Sequence, residues 1–493
     1  MTRDMIAPAV MTRLALALPA LLLGAVACSD DRIIVRDFTG GSISSSGAAA
    51  TSAGASSSST GSSSSTGTGA GTSGASTGGS STGASGGNTG SGPGTYVYIE
   101  SNDPSSSNTN AILAYKLVGQ TLVPRSGTAS FALGGRGVTD TNFTLGPLDA
   151  DQQVVIDRAH QRLYAVNEGS SSIVAFDING DGSLSAIAGS PFPSGGDNPV
   201  SLEPVGDILY VANQAYDGGS APNYTALSIN ADGSLSAIEG VEPLTTSAGA
   251  SPSQVLASPD RLHLFGLDFL GPMASPPINP IRSFNLTGDG GISGAPGEPY
   301  AVPASDAPGT PQANSLALGL AVHPTQNILY VGFVLFNEVG VYTYDSTGAL
   351  TYIADALLTG ALPAWLRVSS TGLHLYAVNT GDASVSYVDL TVPLAPVETQ
   401  HFVLKDIWVS TCLQCPGYIS SAPYQEALSP DEKNLFVVSQ RVTVNPNDTT
   451  SPGNILHILA IAADGTLSEP GADVPIAVPL LTRPQGVASI QLP

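Results

Sequence analysis

A short apolar segment recurs seven times along this chain, and this recurrence constrains the fold more than any other feature of the sequence. The copies occupy residues 96–99, 163–166, 209–212, 262–265, 329–332, 375–378 and 435–438. Most copies are followed by a loop and by a second run of alternating apolar and polar residues, such as residues 172–178 (SIVAFDI). Alternation with a period of two indicates β-strands, and a spacing of about 45–70 residues is typical of propeller blades.

An identical heptapeptide, DGSLSAI, occurs at residues 181–187 and 232–238. Its Asp-Gly pair occupies the same place in four repeats, at residues 181–182, 232–233, 289–290 and 464–465. Asp-Gly favours a hairpin turn because both residues adopt positive φ at low cost. Residues 177–182 also resemble the start of an EF-hand calcium loop, but Ala188 occupies the twelfth position, where that loop needs Glu. We therefore predict a repeated turn.

The two ends of the repeat region indicate how it closes. A further strand precedes most of the recurring segments, as at residues 255–259 and 427–430, but the first segment has no room for one. Residues 486–493 supply such a strand without a blade to follow it. Pairing this strand with the first blade would remove two open sheet edges. The sequence therefore predicts an all-β, seven-bladed β-propeller over residues 96–493, with the ring closed by the C-terminal strand.

The N-terminus has the pattern of an export signal. Arg3 and Arg13 precede an apolar run over residues 14–27, which is too short to span a bilayer. The triplet MTR begins at both Met1 and Met11, so the sequence leaves the translation start open. We predict a signal peptide that ends at residue 27, and hence a protein that leaves the cytoplasm.

Two cleavage patterns overlap at the end of this run. Residues 23–28 (LGAVAC) resemble a bacterial lipobox, which implies lipidation of Cys28 and an anchor segment over residues 28–38. Residues 25–27 (AVA) also match the A-x-A pattern of ordinary signal peptidase, which would release a soluble protein. We expect the lipidated form, and Ser29 after the cysteine favours an anchor in the outer membrane, with the protein in the periplasm or at the cell surface.

Residues 39–95 consist almost only of Ser, Gly, Thr and Ala and contain no charged residue. Such a segment cannot bury enough apolar area to offset the conformational entropy of the chain. We therefore predict a disordered linker that holds the propeller away from the membrane.

The net charge excludes one class of partner. The formal charge is −23, from 16 Lys+Arg against 39 Asp+Glu, and no segment gathers enough basic residues to bind a phosphate backbone. We expect no nucleic-acid partner; the acidic surface favours solubility, and we expect a monomer. The six histidines show no H-x-x-x-H spacing with a carboxylate, so we predict no catalytic metal and no cofactor.

Cys412 and Cys415 form a C-x-x-C motif in an insert between residues 397 and 427. In an exported protein this spacing is typical of a local disulfide. A zinc site would need further ligands, and a thioredoxin-like centre would need a βαβ setting that this region lacks. We predict a disulfide that closes the loop, with Trp408 and Tyr418 covering one face of the ring.

Two blades resemble those of a known family. Residues 163–168 (LYAVNE) and 172–176 (SIVAF) are similar to the YVVNE…STV blade of the lactonase-like seven-bladed propellers. Residues 366–369 and 375–379 are similar to their IRVSPDG…LYVSN blade, and residues 189–193 (GSPFP) look like a stretch common in secreted members. The family includes bacterial 6-phosphogluconolactonase and the fungal muconate-lactonizing enzymes. The resemblance implies a polar pocket in the central channel, where Glu, Arg and His act on a lactone.

The resemblance places Glu168 and Arg367 at matching positions. An ionised Glu168 would activate water, and Arg367 would stabilise the oxyanion as the lactone ring opens. The chain also departs from the family, since Thr380 replaces one arginine. At the channel mouth, the positions where the family often has His after Pro hold Gln254, Trp365 and Gln425. Glu168 can instead bond a neighbouring loop, and Arg367 can form a structural ion pair.

Two functions follow from these residues. The first is a ligand- or partner-binding module of the cell envelope, which the missing arginine and histidines favour. The second is a hydrolase that opens a sugar or other lactone, with Glu168 as base and Arg367 as oxyanion partner, so whether the chain is an enzyme stays open. A catalytic channel would bring these two side chains within one water-bridged distance. A binding module would instead show an exposed aromatic or apolar patch, near Trp408.

Overall fold

The computed structural model describes residues 92–138, 149–215, 219–304, 316–405, 421–441, 453–479 and 482–493. These residues form β-strands and two short 3-10 helices, Glu168–Ser170 and Gly271–Met273. In this part of the chain no helix has the length and apolar character needed to cross a membrane. The predicted signal peptide, the anchor segment with Cys28, nearly all of the linker and the Cys412–Cys415 motif lie outside the described residues.

The strands form seven antiparallel sheets, one for each predicted blade. Blade 1 contains β1 (Gly94–Glu100), β2 (Ala111–Val118), β3 (Thr121–Pro124), β4 (Ser130–Ala132) and, from the end of the chain, β32 (Gln485–Leu492). Blade 2 contains β5 (Val154–Asp157), β6 (Arg162–Asn167), β7 (Ser172–Ile178), β8 (Leu184–Ala186) and β9 (Phe192–Pro193). Blade 3 contains β10 (Pro199–Val205), β11 (Ile208–Asn213), β12 (Asn223–Ile229), β13 (Leu235–Ala237) and β14 (Leu244–Thr245).

The remaining four blades follow in chain order. Blade 4 contains β15 (Pro252–Ala257), β16 (His263–Asp268), β17 (Ile281–Leu286) and β18 (Ile292–Gly294). Blade 5 contains β19 (Ala317–Val322), β20 (Ile328–Phe333), β21 (Glu338–Tyr344) and β22 (Leu350–Leu357). Blade 6 contains β23 (Pro363–Val368), β24 (His374–Asn379), β25 (Ser384–Asp389) and β26 (Val397–Val403). Blade 7 contains β27 (Ser421–Leu428), β28 (Asn434–Arg441), β29 (Ile455–Ile461), β30 (Leu467–Ser468) and β31 (Val474–Pro475).

The recurring apolar segment is the second strand from the centre in each blade. It is mostly apolar because neighbouring strands of its sheet and the adjacent blades cover it; residues 163–166 of β6, for example, are 0% exposed. Blade 4 departs from the predicted bounds, since its strand begins at His263 and Leu262 is 56% exposed. Tyr96, Tyr98 and Leu163 belong to one hydrophobic cluster that joins blades 1 and 2. Each blade therefore buries its apolar faces only when both neighbours are present.

The Asp-Gly motif forms the predicted turn between the third and fourth strands. Gly182 has a φ of 76°, a left-handed conformation that favours glycine. The Asp181 carboxylate accepts hydrogen bonds from the backbone N–H of Ser183 at 3.0 Å and from its hydroxyl at 2.6 Å. The turn also packs against blade 1, because a Cβ on Gly182 would lie 2.1 Å from the Tyr96 ring. The repeated Asp-Gly thus forms a turn that packs one blade against the next.

The C-terminal strand closes the ring, as predicted. β32 pairs antiparallel with β1, so that Ile490 lies opposite Tyr96 and Ala488 lies opposite Tyr98. Because β32 is the innermost strand of blade 1, the last residues of the chain reach the centre of the molecule. Ile490 and Leu492 are buried, at 4% and 0% exposed.

We expect Ile490→Ala to lower the free energy of unfolding by about 3 kcal/mol, because it leaves a cavity in the cluster between blades 1 and 2. Urea denaturation followed by circular dichroism measures this loss. Val403→Ala, at a position 59% exposed on β26, is the matched control and should change the free energy by less than about 0.5 kcal/mol. Equal losses in the two variants would contradict the closure role of β32.

Candidate functional site

The innermost strands of the seven blades surround a central channel. They contact one another in cyclic order, with β32 against β5 completing the circle. The channel contains a cavity of about 470 Å³; most of its lining residues are apolar, but polar atoms supply about half of its exposed surface. Its charged lining residues are Arg158, Glu203 and Arg367.

Glu203 and Arg367 lie at the same level of the channel. In β10, Glu203 pairs with Tyr210, and in β23, Arg367 pairs with Tyr376. Both tyrosines are the second residue of the recurring segment, so the two charged residues occupy equivalent positions three blades apart. Aligning the repeats on that tyrosine identifies Glu203 from sequence alone, although Glu203 is not among the predicted site residues.

Arg367 forms an ion pair with Asp151, which lies three residues before the start of β5. The guanidinium Nη2 lies 2.6 Å from the Asp151 carboxylate, and Nη1 donates to the carbonyl of Leu366 at 2.9 Å. Burial alone would lower the pKa of Arg367, but attraction to Asp151 and Glu426 raises it, so the guanidinium stays charged. Its side chain is 23% exposed and Asp151 only 1%, so the cavity reaches the cation and not its partner.

Glu203 is a half-buried carboxyl group in the same channel. Its two oxygens accept hydrogen bonds from the side-chain amide of Gln152 at 3.1 Å and the backbone N–H of Ala257 at 3.2 Å. Burial raises the pKa of Glu203 to about 7, although these hydrogen bonds and the charge of Arg367 lower it in part. Near neutral pH Glu203 therefore exists in both protonation states and can accept or donate a proton.

The candidates predicted at the channel mouth are buried in contacts between blades. Gln254 is 1% exposed and its side-chain oxygen accepts from the Leu320 backbone N–H at 2.6 Å, which ties blade 4 to blade 5. Gln425 is 0% exposed and donates to the carbonyl of Ala150 at 2.6 Å. Trp365 is 0% exposed and packs edge-on against a neighbouring tyrosine. Of the three, Gln254 lines the cavity.

Glu168 lies in a sealed cluster at the end of β6. It is 0% exposed, and one carboxyl oxygen accepts a hydrogen bond from the Gln485 amide. The same amide lies 3.4 Å from the carboxyl group of Glu100, which is also 0% exposed and accepts from Asn110 at 2.6 Å. Among the described residues, no direct contact joins Glu168 to Arg367. The hypothesis that these two act as a pair thus stays a prediction.

Burial shifts the ionisation of this carboxyl pair. It raises the pKa of Glu168 to about 7, despite hydrogen bonds that lower it. It raises the pKa of Glu100 well above the usual range, and the like charge of Glu168 adds to this shift. The pair therefore retains at least one proton near neutral pH. Glu100 was not predicted, because its partners Glu168 and Gln485 come from distant parts of the chain.

A group whose folded-state pKa is raised contributes stability below its unfolded value and loses it as the pH rises through the folded value. Glu168 shifts from 4.5 to about 7, so stability should fall as the pH rises across that window. We expect Glu168→Gln to reduce this fall by about 1–3 kcal/mol, as measured by urea denaturation between pH 5 and pH 8. Glu239→Gln, at an exposed carboxylate, is the control and should leave the slope unchanged. An unchanged slope in Glu168→Gln would contradict the raised pKa.

Blade 7 contains a second buried polar cluster. The Nδ1 atom of His457 lies 2.8 Å from Glu469 and 3.2 Å from Asp473, and these three side chains are of types that bind metals. Burial alone would lower the pKa of His457, but its hydrogen bonds to Asp473 and Glu469 raise it. The protonated form of the His457 imidazole is therefore favoured. In that form its Nδ1–H lies between the carboxyl groups of Glu469 and Asp473. The prediction of no catalytic metal stays a prediction.

The sequence matches no protein-family model and no curated protein. Similar solved structures include a periplasmic gluconolactonase from Pseudomonas aeruginosa, 18% identical with a TM-score of 0.53, over 81% of this chain and 100% of that one. A provisionally assigned 6-phosphogluconolactonase from Bacteroides uniformis is 17% identical with a TM-score of 0.56, over 80% and 99%. A hypothetical selenium-binding protein from Sulfolobus tokodaii is 13% identical with a TM-score of 0.54, over 80% and 93%. The chain therefore has the seven-bladed β-propeller fold of the lactonase-like proteins.

Proposed function

We propose that the protein binds a small polar molecule in the central channel. The observation that carries this proposal is the partly exposed Arg367, held by Asp151 at the same level as Glu203, in a cavity of about 470 Å³. Concave sites with apolar walls and a few convergent polar groups are typical of small-molecule binding. The ion pair fixes the guanidinium without burying it, so it is preorganised for a ligand oxygen.

The chemistry of the site favours a ligand rich in oxygen. A guanidinium has five N–H donors, and the bonds to Asp151 and Leu366 leave others for a carbonyl or hydroxyl group. Glu203 can donate to such a ligand when protonated and accept from it when ionised. The name of the Pseudomonas structure, a gluconolactonase, supports lactones as the first class to test.

Hydrolysis of the bound lactone is a second candidate, favoured by the raised pKa of Glu203. The ionised carboxylate would take a proton from water as the water oxygen attacks the carbonyl carbon, and Arg367 would stabilise the oxyanion. When the ring C–O bond breaks, the proton passes to the leaving alkoxide, and the product is a hydroxy acid. We assign the base to Glu203 because Glu168 is fully buried.

Binding and turnover separate in one experiment on the purified protein. Calorimetric titration with aldono-, butyro- and muconolactones should show binding that Arg367→Met weakens at least tenfold, because the methionine cannot donate hydrogen bonds. Glu203→Gln should retain binding and, for a hydrolase, lose the acid release that a pH-stat records. The exposed Lys433→Met is the control. Failure of every lactone to bind, or equal binding by Arg367→Met, would contradict the proposal.

We also propose that the binding module works outside the cytoplasm as a lipid-anchored protein of the envelope. The apolar run up to residue 27, Cys28 and the uncharged linker over residues 39–95 support this. A linker of that composition would let the propeller reach a ligand or an envelope partner at some distance from the membrane.

Metabolic labelling with palmitate tests the anchor. We expect the protein to carry the label in a Gram-negative host and to fractionate with membranes, because Cys28 is the acceptor. Cys28→Ser should abolish the label, whereas Cys412→Ser should retain it. Release of an unlabelled wild-type protein into the periplasm would instead support cleavage at the A-x-A pattern.

A further inference from the structure

Arg158 lies toward the opposite end of the same cavity from the Asp151–Arg367 pair. It follows β5 directly and lines the cavity. Val155 of β5 pairs with Tyr164, which places it at the level of Arg367. Arg158 is three residues further along the chain, and a strand rises about 3.3 Å per residue. The backbone positions of Arg158 and Arg367 are therefore separated by up to roughly 10 Å along the channel.

Arg158 differs in its partners from three other arginines that are buried or line the channel. Arg125, Arg282 and Arg367 each form an ion pair with a carboxylate. For Arg158 the described residues provide no ion pair and no hydrogen bond. The adjacent carboxylate, Asp157, is engaged by His160 at 2.6 Å.

The surroundings of Arg158 make this lack of a partner significant. The side chain of Arg158 is exposed to solvent, and partial burial by the surrounding protein lowers the pKa of Arg158. A partly dehydrated guanidinium gains more from a charge-assisted hydrogen bond than one at an open surface. In a chain of net charge −23, such an unpaired cation in the cavity favours an anionic ligand.

The wall between the two levels is apolar. The lining residues one position beyond Arg367 in the register of the inner strands are Ile156, Pro204, Val322, Val368 and Leu428. A ligand that reaches both ends therefore needs a hydrocarbon segment with a polar group at each end. A carbon–carbon bond of about 1.5 Å advances an extended hydrocarbon chain by about 1.25 Å. Roughly six to ten carbons therefore span the distance between Arg158 and Arg367.

We propose that the channel ligand is a carboxylic acid of medium chain length, with its carboxylate on Arg158 and a distal oxygen on Arg367 and Glu203. This inference rests on the proposed ligand-binding function and names the class of its ligand. An ω-hydroxy acid, or a lactone that carries a carboxylate side chain, fits this description. A sugar lactone without an acid group would leave Arg158 unpaired and the apolar wall without a matching surface.

The test compares an acid with a neutral molecule of the same length, by calorimetric titration of the whole protein. We expect 8-hydroxyoctanoate to bind at least tenfold more tightly than 1,8-octanediol, because the diol cannot form the ion pair with Arg158. Arg158→Met should remove this preference by weakening binding of the acid far more than binding of the diol, and Arg158→Lys should restore part of it. Arg261→Met is the matched control, since Arg261 is exposed, lies near the same end and does not line the cavity.

Each outcome separates this inference from the proposed function. Equal binding of the acid and the diol, both weakened by Arg367→Met, would overturn the inference and leave the channel as a ligand site. An equal loss of both ligands in Arg158→Met, together with a lower melting temperature, would assign Arg158 a structural role and also overturn it. Failure of the acid, the diol and every lactone to bind would overturn both.

Discussion

Pairing of the two ends of the repeat region in one sheet is the constraint on which the rest of the structure depends. β32 completes blade 1 and is at the same time one of the seven strands around the channel. It supplies Gln485 to the buried pair of Glu100 and Glu168, and Ser489 to the wall of the cavity. A propeller blade cannot bury both faces alone, so closure stabilises all blades through a chain of neighbour contacts. The candidate site therefore exists only in the closed ring.

Polar side chains at the start of the inner strands join one blade to the next. Ser201 accepts a hydrogen bond from the backbone N–H of Val255, and Gln254 accepts one from Leu320. These residues follow an irregularity in strand pairing that frees backbone groups near the channel. An unpaired buried N–H is costly, so side-chain acceptors at this level are required by the fold. Arg367 and Glu203 lie further along the inner strands, after this irregularity. There the strands pair regularly, so the side chains are not needed as backbone acceptors and can bind a ligand.

The sequence predicted the fold well and the site only in part, for one physical reason. Blade structure depends on local periodicity and turn residues, which are visible in the sequence. Ring closure depends on a first blade that lacks an inner strand and on a C-terminal segment that supplies it, and both are also visible in the sequence. The site depends on contacts between blades. Asp151 pairs with Arg367 although they are 216 positions apart in the chain, and of these two residues only Arg367 was predicted. Glu168 matched a family motif, but nothing local indicated that Glu100 and Gln485 would enclose it.

Access to solvent, rather than pKa, distinguishes the two carboxyl groups that are candidates for proton transfer. Burial raises the pKa of both Glu168 and Glu203 to about 7. The side chain of Glu168 is fully enclosed and shares its environment with a second acid, so its proton stabilises the pair. Glu203 has the same tendency to hold a proton, yet it borders the cavity that contains Arg367. Because a general base must reach the molecule it deprotonates, Glu203 is better placed than Glu168 to accept a proton from a molecule in this channel.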